Sequence, residues 1–162
     1  MLIRPEAPCD HHALRALHRA CFPTPAESQL VDRLRADGDG VISLLASDGD
    51  RPIGHVLLSR LRAPFRALAL APLAVAESHR RKGVAAALVR RALAEASGMG
   101  WQAVFVLGDP AYYSRFGFSA ELARGFQSPY AGPHLMALAL QPDGLPRQDG
   151  RIDHAPAFAG LE

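Results

Sequence analysis

Two almost continuous apolar segments, residues 68–75 and residues 103–107, constrain the fold of this chain more than any other feature. Strands that are buried on both faces have this composition, and such strands occur in parallel pairs that are covered by helices. Apolar residues at helical spacing lie between the two segments and stop at Gly98, which predicts one helix over residues 82–96. The three segments together predict a right-handed βαβ unit.

Turn and capping residues predict how the rest of the chain joins this unit. The cluster Ser47-Asp48-Gly49-Asp50 separates two strand-like segments, residues 41–46 and residues 52–61, and indicates an antiparallel hairpin. The dipeptide Asp109-Pro110 predicts a short helix with an N-cap and a first-position proline, which Gly117 closes. The other expected elements are a strand at residues 1–4, a helix after an N-cap at Asp10, a helix from the capping residues Thr24, Pro25 and Glu27 to Gly38, and a strand at residues 134–140.

Length, composition and charge bound the class of protein. The chain has 162 residues, 49% of them hydrophobic and 21% charged, which is typical of a globular protein with one core. We expect residues 1–141 to form this domain and residues 142–162 to be an extension packed on it. The formal charge of only +2 argues against nucleic acid as a partner, although the arginines between residues 60 and 82 leave it as a weak alternative.

The sequence leads us to expect a cytoplasmic protein. Its first residues, Met-Leu-Ile-Arg-Pro-Glu, lack the basic start and the apolar stretch of a secretory signal. The longest apolar run, residues 67–76, is interrupted by Pro72 and is about half the ~20 residues that a membrane helix needs, so no membrane partner is expected. Cys9 and Cys21 have no metal-ligand spacing around them, which favours a reduced compartment and no metal site.

A basic bend between the first apolar strand and the helix has the properties of an anion site. The first amides of a helix have no internal acceptor and lie at the positive end of its dipole, so a phosphate there receives several N–H donors. Residues 80–82, Arg-Arg-Lys, add charge, and Gly83 lets the backbone approach the ligand closely. The spacing matches neither the three-glycine dinucleotide fingerprint nor the Walker loop. Three basic residues alone are also typical of a solvated turn, but this context favours a pyrophosphate ligand.

Two motifs in order carry a family resemblance. The pattern Arg80-x-x-Gly83-x-Ala85, after a strand ending Leu73-Ala74-Val75, resembles the acyl-CoA signature of the GCN5-related N-acetyltransferase (GNAT) superfamily. The segment Tyr113-Ser114-Arg115-Phe116-Gly117-Phe118 is similar to that family's later signature, a tyrosine followed at fixed distance by Gly-Phe. Leu107-Gly108-Asp109-Pro110-Ala111-Tyr112-Tyr113, with Ala71-Pro72 before Leu73, resembles the bacterial YhbS-type branch of the superfamily.

The resemblance implies a fold and a co-substrate. The implied fold is α/β, with one central mixed, mostly antiparallel sheet, a splayed parallel pair and about four flanking helices. The implied co-substrate is acetyl-CoA, with its pantetheine arm along Leu73 and Val75 and its pyrophosphate on the amides of residues 81–86; no metal is implied. The implied coenzyme-binding residues are Leu73, Ala74, Val75, Arg80, Arg81, Lys82, Gly83, Val84, Ala85, Ala86, Tyr113 and Phe116.

The implied reaction moves the acetyl group to a primary amine by direct attack in a ternary complex. An amine with a pKa near ~10 is mostly protonated at neutral pH, so a base or a water relay must remove a proton. Residues 68–75 contain no carboxylate, unlike the arrangement in many relatives, so the base stays open. The resemblance assigns catalysis to Tyr113, whose phenol can protonate the departing thiolate. The candidates for the base, by chemistry alone, are His55, Glu77, His79 and His134.

Several alternatives stay open in the sequence. Tyr113 can also be read as an aromatic residue that packs against its neighbours. A non-catalytic acyl-CoA-binding or regulatory module of the same fold is the alternative function, because the strand lacks the carboxylate. The acceptor ranges from a small-molecule amine to a peptide terminus or a protein lysine. A homodimer also stays open, because relatives are often dimers.

Overall fold

The parallel βαβ unit expected from the two apolar segments is present in the structure, a computed structural model that describes residues 1–161. Strand β4 covers Ala67–Val75, helix α3 covers Val84–Gly98 and strand β5 covers Ala103–Leu107. The two strands pair in parallel from Ala67↔Ala103 to Leu70↔Val106. β4 then continues through Pro72, which has no amide hydrogen to donate to a neighbouring strand.

The other elements follow the expected order along the chain. Before the βαβ unit come strand β1 (Leu2–Pro5), helices α1 (His11–Cys21) and α2 (Ala26–Ala36), and strands β2 (Gly40–Asp48) and β3 (Arg51–Arg62). After it come helices α4 (Pro110–Tyr113) and α5 (Ala120–Ala123), and strands β6 (Phe126–Gln127), β7 (Leu135–Ala139), β8 (Gly150–Arg151) and β9 (Asp153–His154). Short 3₁₀ helices cover Pro8–Asp10, Glu77–His79, Ser114–Phe116 and Pro156–Leu161.

The strands confirm the expected α/β class with a mixed sheet. Among the described residues, seven strands form one sheet, in which β1, β2, β3, β4, β5 and β7 are hydrogen-bonded in that order and β9 pairs with β3. The pairs β1–β2, β3–β9 and β5–β7 are antiparallel, whereas β4–β5 is parallel. β6 and β8 form a separate parallel pair.

The fold divides into two compact units. Unit 1 contains residues 1–58, 71–92 and 156–161, and unit 2 contains residues 59–70 and 93–155. Leucines from the first two helices, from β2 and β3 and from α3 fill the core of unit 1, among them Leu14, Leu34, Leu45, Leu57 and Leu88. Burying such side chains supplies most of the free energy of folding.

Aromatic rings organise the core of unit 2. Phe105 of β5 is 0% exposed, and its ring meets the ring of Phe126 edge-on at a centroid distance of 5.3 Å. Phe126 meets Phe65 in the same way at 5.8 Å. At the start of β5, the Arg66 guanidinium lies 4.3 Å from the centroid of the Trp101 ring, a cation–π contact.

The helix starts differ in detail from the sequence predictions. Asp10 does not cap α1, because its backbone is already helical and its carboxylate binds Arg4 at 2.8 and 2.9 Å and the amide of Ala7 at 2.7 Å. At the start of α2 the hydroxyl of Thr24 accepts the amide of Ala26 at 3.3 Å, but the N-cap is Pro25 rather than Thr24, and no side chain caps the helix.

Helix α3 and the C-terminal tail also differ from expectation. α3 begins at Val84 rather than at residue 82, because Arg81 and Gly83 have left-handed φ values of 63° and 83° that an α-helix does not contain. The tail forms the unpredicted strands β8 and β9. Its apolar residues Ile152 and Phe158 are 0% and 5% exposed, so the tail contributes buried side chains to the units.

Four hydrogen-bonded polar side chains lie inside unit 1. Ser43 donates to Glu6, the Ser43 hydroxyl oxygen lies 2.7 Å from Nε2 of His55, and Nδ1 of His55 lies 2.8 Å from Nε2 of His18. Burial lowers the pKa of His18 to about 3 and lowers the pKa of His55. Burial opposes ionisation of Glu6, but hydrogen bonds from His55 and Ser43 and the charge of Arg35 lower its pKa to about 2. At neutral pH the imidazoles are therefore neutral and Glu6 is ionised.

Acid should destabilise the protein by protonating His18 and Glu6, the titratable side chains at the two ends of this hydrogen-bonded set. The pKa of His18 is lower in the folded state than its ordinary value of 6.5, so the unfolded chain binds a proton first as the pH falls. The free energy of unfolding should fall by about 1.4 kcal/mol for each pH unit between ~6 and ~3 through His18 alone. Glu6 adds to the loss of stability once the pH falls below its ordinary pKa of 4.5. Urea unfolding curves recorded across this pH range measure the slope.

Two variants of α1 separate this effect from general acid sensitivity. His18→Gln should weaken the pH dependence of the free energy of unfolding, whatever its effect on stability at neutral pH. His12→Gln, on the exposed face of the same helix, should keep it. An equally steep dependence in His18→Gln would contradict the assignment.

Phe105→Ala should lower the free energy of unfolding by about 3–5 kcal/mol, because it removes a fully buried ring and leaves a cavity. Leu107→Ala on the same strand is the control, since Leu107 is 49% exposed, and it should cost well under ~1 kcal/mol. Denaturant midpoints of the two variants give the comparison. Equal losses in the two variants would show that the core of unit 2 is not centred on Phe105.

Candidate functional site

The basic bend that the sequence predicts as an anion site is fixed by backbone hydrogen bonds within unit 1. Directly after β4, the amide of Ala76 donates to the carbonyl of Ile53 on β3 at 2.8 Å. The 3₁₀ turn that follows is closed by the His79 amide on the Ala76 carbonyl at 2.9 Å and by the Arg80 amide on the Glu77 carbonyl at 3.3 Å. These bonds set the direction from which the chain enters α3.

Left-handed backbone at Arg81 and Gly83 turns the chain into the helix. A Cβ atom costs energy in this region, so glycine suits position 83, and Arg81 is an unusual residue for its conformation. The hydrogen bond that opens α3 runs from the Ala87 amide to the Gly83 carbonyl at 3.0 Å. The amides of residues 81–86 precede it, and helix geometry gives the first amides of α3 no internal acceptor. They are donors at the positive end of a fifteen-residue helix.

The basic side chains of the bend divide into two kinds. Arg80 donates from Nε to the carbonyl of Val75 at 3.1 Å, and the thiol of Cys21 donates to the same carbonyl at 3.3 Å. Arg81 and Lys82 are exposed. Arg80 therefore also holds the end of β4, a role that sequence spacing did not indicate, whereas the next two residues supply positive charge at the surface.

Sequence reasoning missed Gly54, a glycine inside β3 that lets α3 pack closely on the strand. A Cβ atom at this position would lie 2.9 Å from side-chain atoms of both Leu88 and Val84, and 3.4 Å from the carbonyl oxygen of Ala74. Any larger residue would therefore force the α3 side chains of Leu88 and Val84 to shift. The signal was a glycine within a strand, which also fits a bulge and was not specific enough to use.

Tyr113 ends helix α4 in unit 2, within a short segment whose two ends formed as predicted. The Asp109 side chain accepts a backbone amide of the first turn at 3.0 Å, and Gly117 closes the segment with a left-handed φ of 99°. The Tyr113 ring meets the rings of Tyr112 and Phe118 edge-on, at centroid distances of 5.1 and 5.8 Å. Aromatic packing and a chemical role are both consistent with this position.

The phenol of Tyr113 has the protonation state that an acid requires. Burial raises the pKa of Tyr113 to about 12, so the hydroxyl keeps its hydrogen at neutral pH. Gly108 is needed beside it, because a Cβ atom there would lie 2.5 Å from Cε2 of the Tyr113 ring. The centroid of the Phe116 ring lies 6.3 Å from that of Tyr113.

The four side chains considered as bases are distributed over both units. His55, Glu77 and His79 lie in unit 1, and His134 lies in unit 2. His55 is 0% exposed within the polar chain, whereas Glu77 is exposed. The ring nitrogens of His79 are hydrogen-bonded to neighbouring side chains at 2.8 and 3.3 Å, and Nδ1 of His134 donates to a backbone carbonyl at 3.2 Å.

The predicted coenzyme-binding residues fall into two groups. Residues 73–75 and 80–86 lie in unit 1, where β4 leads through the bend into α3, and Tyr113 and Phe116 lie in unit 2. Residues 1–161 contain no group of three or more His, Cys, Asp or Glu side chains that could hold a metal ion. In the same described part of the chain, each helix is too short or too polar to cross a bilayer.

Comparison with known proteins connects these features to one family. Residues 11–118 match the family model described as Acetyltransferase (GNAT) family. The uncharacterized N-acetyltransferase YhbS of Escherichia coli K12 is 43% identical over 122 residues, which cover 73% of this chain and 73% of that protein. The crystal structure of Escherichia coli YhbS in complex with CoA matches with a TM-score of 0.92 and 35% identity, over 98% of this chain and 91% of that chain.

A second solved structure of similar fold comes from the same family. The GNAT family acetyltransferase of Brucella melitensis, in complex with acetyl-CoA, matches with a TM-score of 0.83 and 28% identity over 97% of each chain. The matched residues 11–118 include the βαβ unit, the bend and the Tyr113 segment, so the resemblance seen in the sequence is confirmed. The chain belongs to the GNAT family of N-acetyltransferases.

Proposed function

We propose that this protein transfers the acetyl group of acetyl-CoA to a primary amine, by direct attack of the amine nitrogen on the thioester in a ternary complex. The observation that carries the proposal is the bend at residues 80–86, which presents helix N-terminal amides beside positive charge. The CoA in the YhbS structure and the acetyl-CoA in the Brucella melitensis structure support the same co-substrate here.

The pyrophosphate of the coenzyme is the ligand for the bend. The amides of residues 81–86 donate to its oxygens, and the exposed side chains of Arg81 and Lys82 add positive charge. Ala85 and Ala86 are small enough to let the phosphates approach the backbone. The buried side chain of Val84, 4% exposed, anchors the helix end beneath them.

The pantetheine arm runs along β4 beyond the residues that pair with β5. Backbone groups of successive residues in a strand point to opposite sides. Because the amide of Ala76 donates to β3, the backbone groups of Leu73 and Val75 point away from β3. The Val75 carbonyl already accepts from Arg80 and Cys21, so the amide of Val75 and the backbone of Leu73 are the groups we assign to the arm.

Tyr113 acts as the acid in this proposal. When the acetyl group leaves the coenzyme, the sulfur develops negative charge, and a neutral phenol can donate its hydrogen to it. The raised pKa of Tyr113, about 12, keeps the phenol protonated until that moment.

The acceptor is a small-molecule or peptide amine, and the reaction takes place in the cytoplasm. Purified protein incubated with acetyl-CoA and a library of primary amines should release free thiol and give products heavier by one acetyl group. Binding of acetyl-CoA without any product would favour a non-catalytic acyl-CoA-binding module. Light scattering of the same sample tests whether the protein is a monomer or a homodimer.

Gly83→Glu should abolish coenzyme A binding, because a carboxylate at this position adds negative charge and bulk at the amides that hold the phosphates. Gly38→Glu is a matched control: Gly38 also has a left-handed φ, 74°, and no atom lies within 4 Å of the Cβ position at either glycine. The two variants should lose similar stability, and only Gly83→Glu should lose the calorimetric signal with coenzyme A. Normal binding by folded Gly83→Glu would exclude the bend as the phosphate site.

Tyr113→Phe should lower kcat by about 10²-fold and leave the Kd for acetyl-CoA nearly unchanged, since only the hydroxyl is removed. Tyr112→Phe removes the adjacent hydroxyl and should have little effect on either constant. Steady-state kinetics and calorimetry on both variants give the comparison. Undiminished turnover in Tyr113→Phe would remove this residue from the chemistry.

A further inference from the structure

Four polar side chains of unit 1 form a continuous hydrogen-bonded path, in which the two histidines are buried and Glu6 and Ser43 are partly exposed. Glu6 follows β1, Ser43 belongs to β2, His55 to β3 and His18 to α1. Ser43 donates to Glu6, and the two further links, Ser43 to His55 and His55 to His18, are 2.7 and 2.8 Å long. Both imidazoles are 1% exposed or less. Buried polar groups are retained at a cost in stability, so this set merits a functional explanation.

The charge on Glu6 fixes the direction of every hydrogen bond in the path. An ionised carboxylate only accepts, so the Ser43 hydroxyl donates to it and must itself accept from Nε2–H of His55. A neutral His55 then has its lone pair on Nδ1, which accepts from Nε2–H of His18. The remaining nitrogen, Nδ1 of His18, is therefore a lone-pair acceptor, and it has no hydrogen-bond partner among residues 1–161.

The helix that carries the unpartnered end of the path, α1, contacts the end of β4. His18 and Cys21 are three residues apart on α1 and therefore share one helix face. The thiol of Cys21 contacts the Val75 carbonyl at 3.3 Å, and Leu17 packs in one cluster with Ala74. The His18 ring is stacked face to face on Phe22, with a centroid distance of 6.0 Å, which leaves its edge nitrogens out of that contact.

The outer end of the path is surrounded by charge. Arg35 contacts Oε2 of Glu6 at 2.9 and 3.0 Å, and Nε2 of His11 lies 3.2 Å from the same oxygen. Oε1 of Glu6 faces Ser43 and His55, the latter at 3.7 Å. Arg35 is itself paired with Asp32 at 3.0 Å. The two oxygens of Glu6 thus have separate partners: Arg35 and His11 contact Oε2, and the path uses Oε1.

We propose that Nδ1 of His18 is the proton acceptor of the acetyl-transfer reaction, and that the path through His55 and Ser43 to Glu6 holds its lone pair in place. This inference rests on the proposed function. When the amine attacks the thioester, its nitrogen carries a positive charge in the tetrahedral adduct and is far more acidic than the free ammonium. One N–H bond of the adduct breaks, its electron pair returns to nitrogen, and the proton moves through one water to Nδ1 of His18. Collapse of the adduct then breaks the carbon–sulfur bond, and the thiolate takes a proton from Tyr113.

The path resembles a catalytic base that is oriented by a carboxylate, except that two further side chains, Ser43 and His55, lie between the base and the carboxylate. His18 cannot change to the tautomer with its hydrogen on Nδ1 without losing its hydrogen bond to His55. Burial, His55 and Arg35 disfavour the imidazolium and lower the pKa of His18 to about 3, and the negative charge of Glu6 offsets part of this cost when the imidazolium forms transiently. The base missing from β4 is thereby supplied by α1 and β3.

Nitrogen NMR on histidine-labelled protein tests the direction of the path without any acceptor. At neutral pH both His18 and His55 should be neutral, with the hydrogen on Nε2. A hydrogen on Nδ1 of either ring would overturn the proposal.

Glu6→Gln should reverse the path while keeping its shape. Because Arg35 donates to the position of Oε2, the amide oxygen takes that side and the amide nitrogen faces Ser43. Ser43 then donates to His55, and both histidines shift their hydrogen to Nδ1, which removes the lone pair at the end of the path. NMR should show this shift. Unchanged tautomers in folded Glu6→Gln would contradict the proposed directions.

Turnover measurements connect the path to catalysis. With an amine found in the library, Glu6→Gln and Ser43→Ala should lower kcat by about 10²-fold at neutral pH, with KM for acetyl-CoA unchanged. The deficit should shrink as the pH approaches ~10, where hydroxide replaces the base. Ser47→Ala is the matched control, since it deletes another buried hydroxyl of β2, 5% exposed, outside the path.

The outcomes separate this proposal from the proposed function. Wild-type protein that acetylates no amine would overturn both. Active wild-type protein with full activity in Glu6→Gln and Ser43→Ala, or with a deficit that is constant with pH, would overturn the role of the path alone. Loss of coenzyme binding in Gly83→Glu bears only on the proposed function.

Discussion

The backbone between β4 and α3 changes direction within a few residues, and the coenzyme site that we propose depends on that change. Hydrogen bonds from Ala76 to β3 and within the 3₁₀ turn fix the start of the bend, and left-handed φ values at Arg81 and Gly83 complete it. α3 consequently begins with a row of amides that have no internal acceptor. The position of these amides also depends on the close packing of α3 on β3, which a glycine at position 54 permits.

The polar path of unit 1 illustrates a different constraint. A hydrophobic core of the same volume would be at least as stable, because each buried polar group costs free energy unless it is paired. Once paired, the four groups require that β1, α1, β2 and β3 meet in one arrangement, since a shift of any element breaks a bond. The ionised Glu6 adds direction to this arrangement, because it can only accept. Structural specificity and a poised lone pair on His18 come from the same set of bonds.

Much of the fold was predictable because its signals are local. The βαβ unit followed from two apolar segments around a helical pattern, and the Tyr113 segment followed from an N-cap at Asp109 and a glycine at position 117. Helix starts were less predictable. Asp10 was expected to cap α1, but its carboxylate is more stable beside Arg4. The start of α3 moved to Val84 because the left-handed conformation of Arg81, a residue that rarely adopts it, has no sequence signal.

The sequence by itself determined the order of the elements, the parallel strand pair and the two motifs that identify the family, because each depends on spacing between residues close in the chain. Only the tertiary structure decided that Arg80 holds the Val75 carbonyl, that Gly54 admits α3, and that His18 and His55 share a hydrogen bond. These contacts join residues that the fold brings together from separate elements. Their energies depend on distance and burial, which no spacing along the chain encodes.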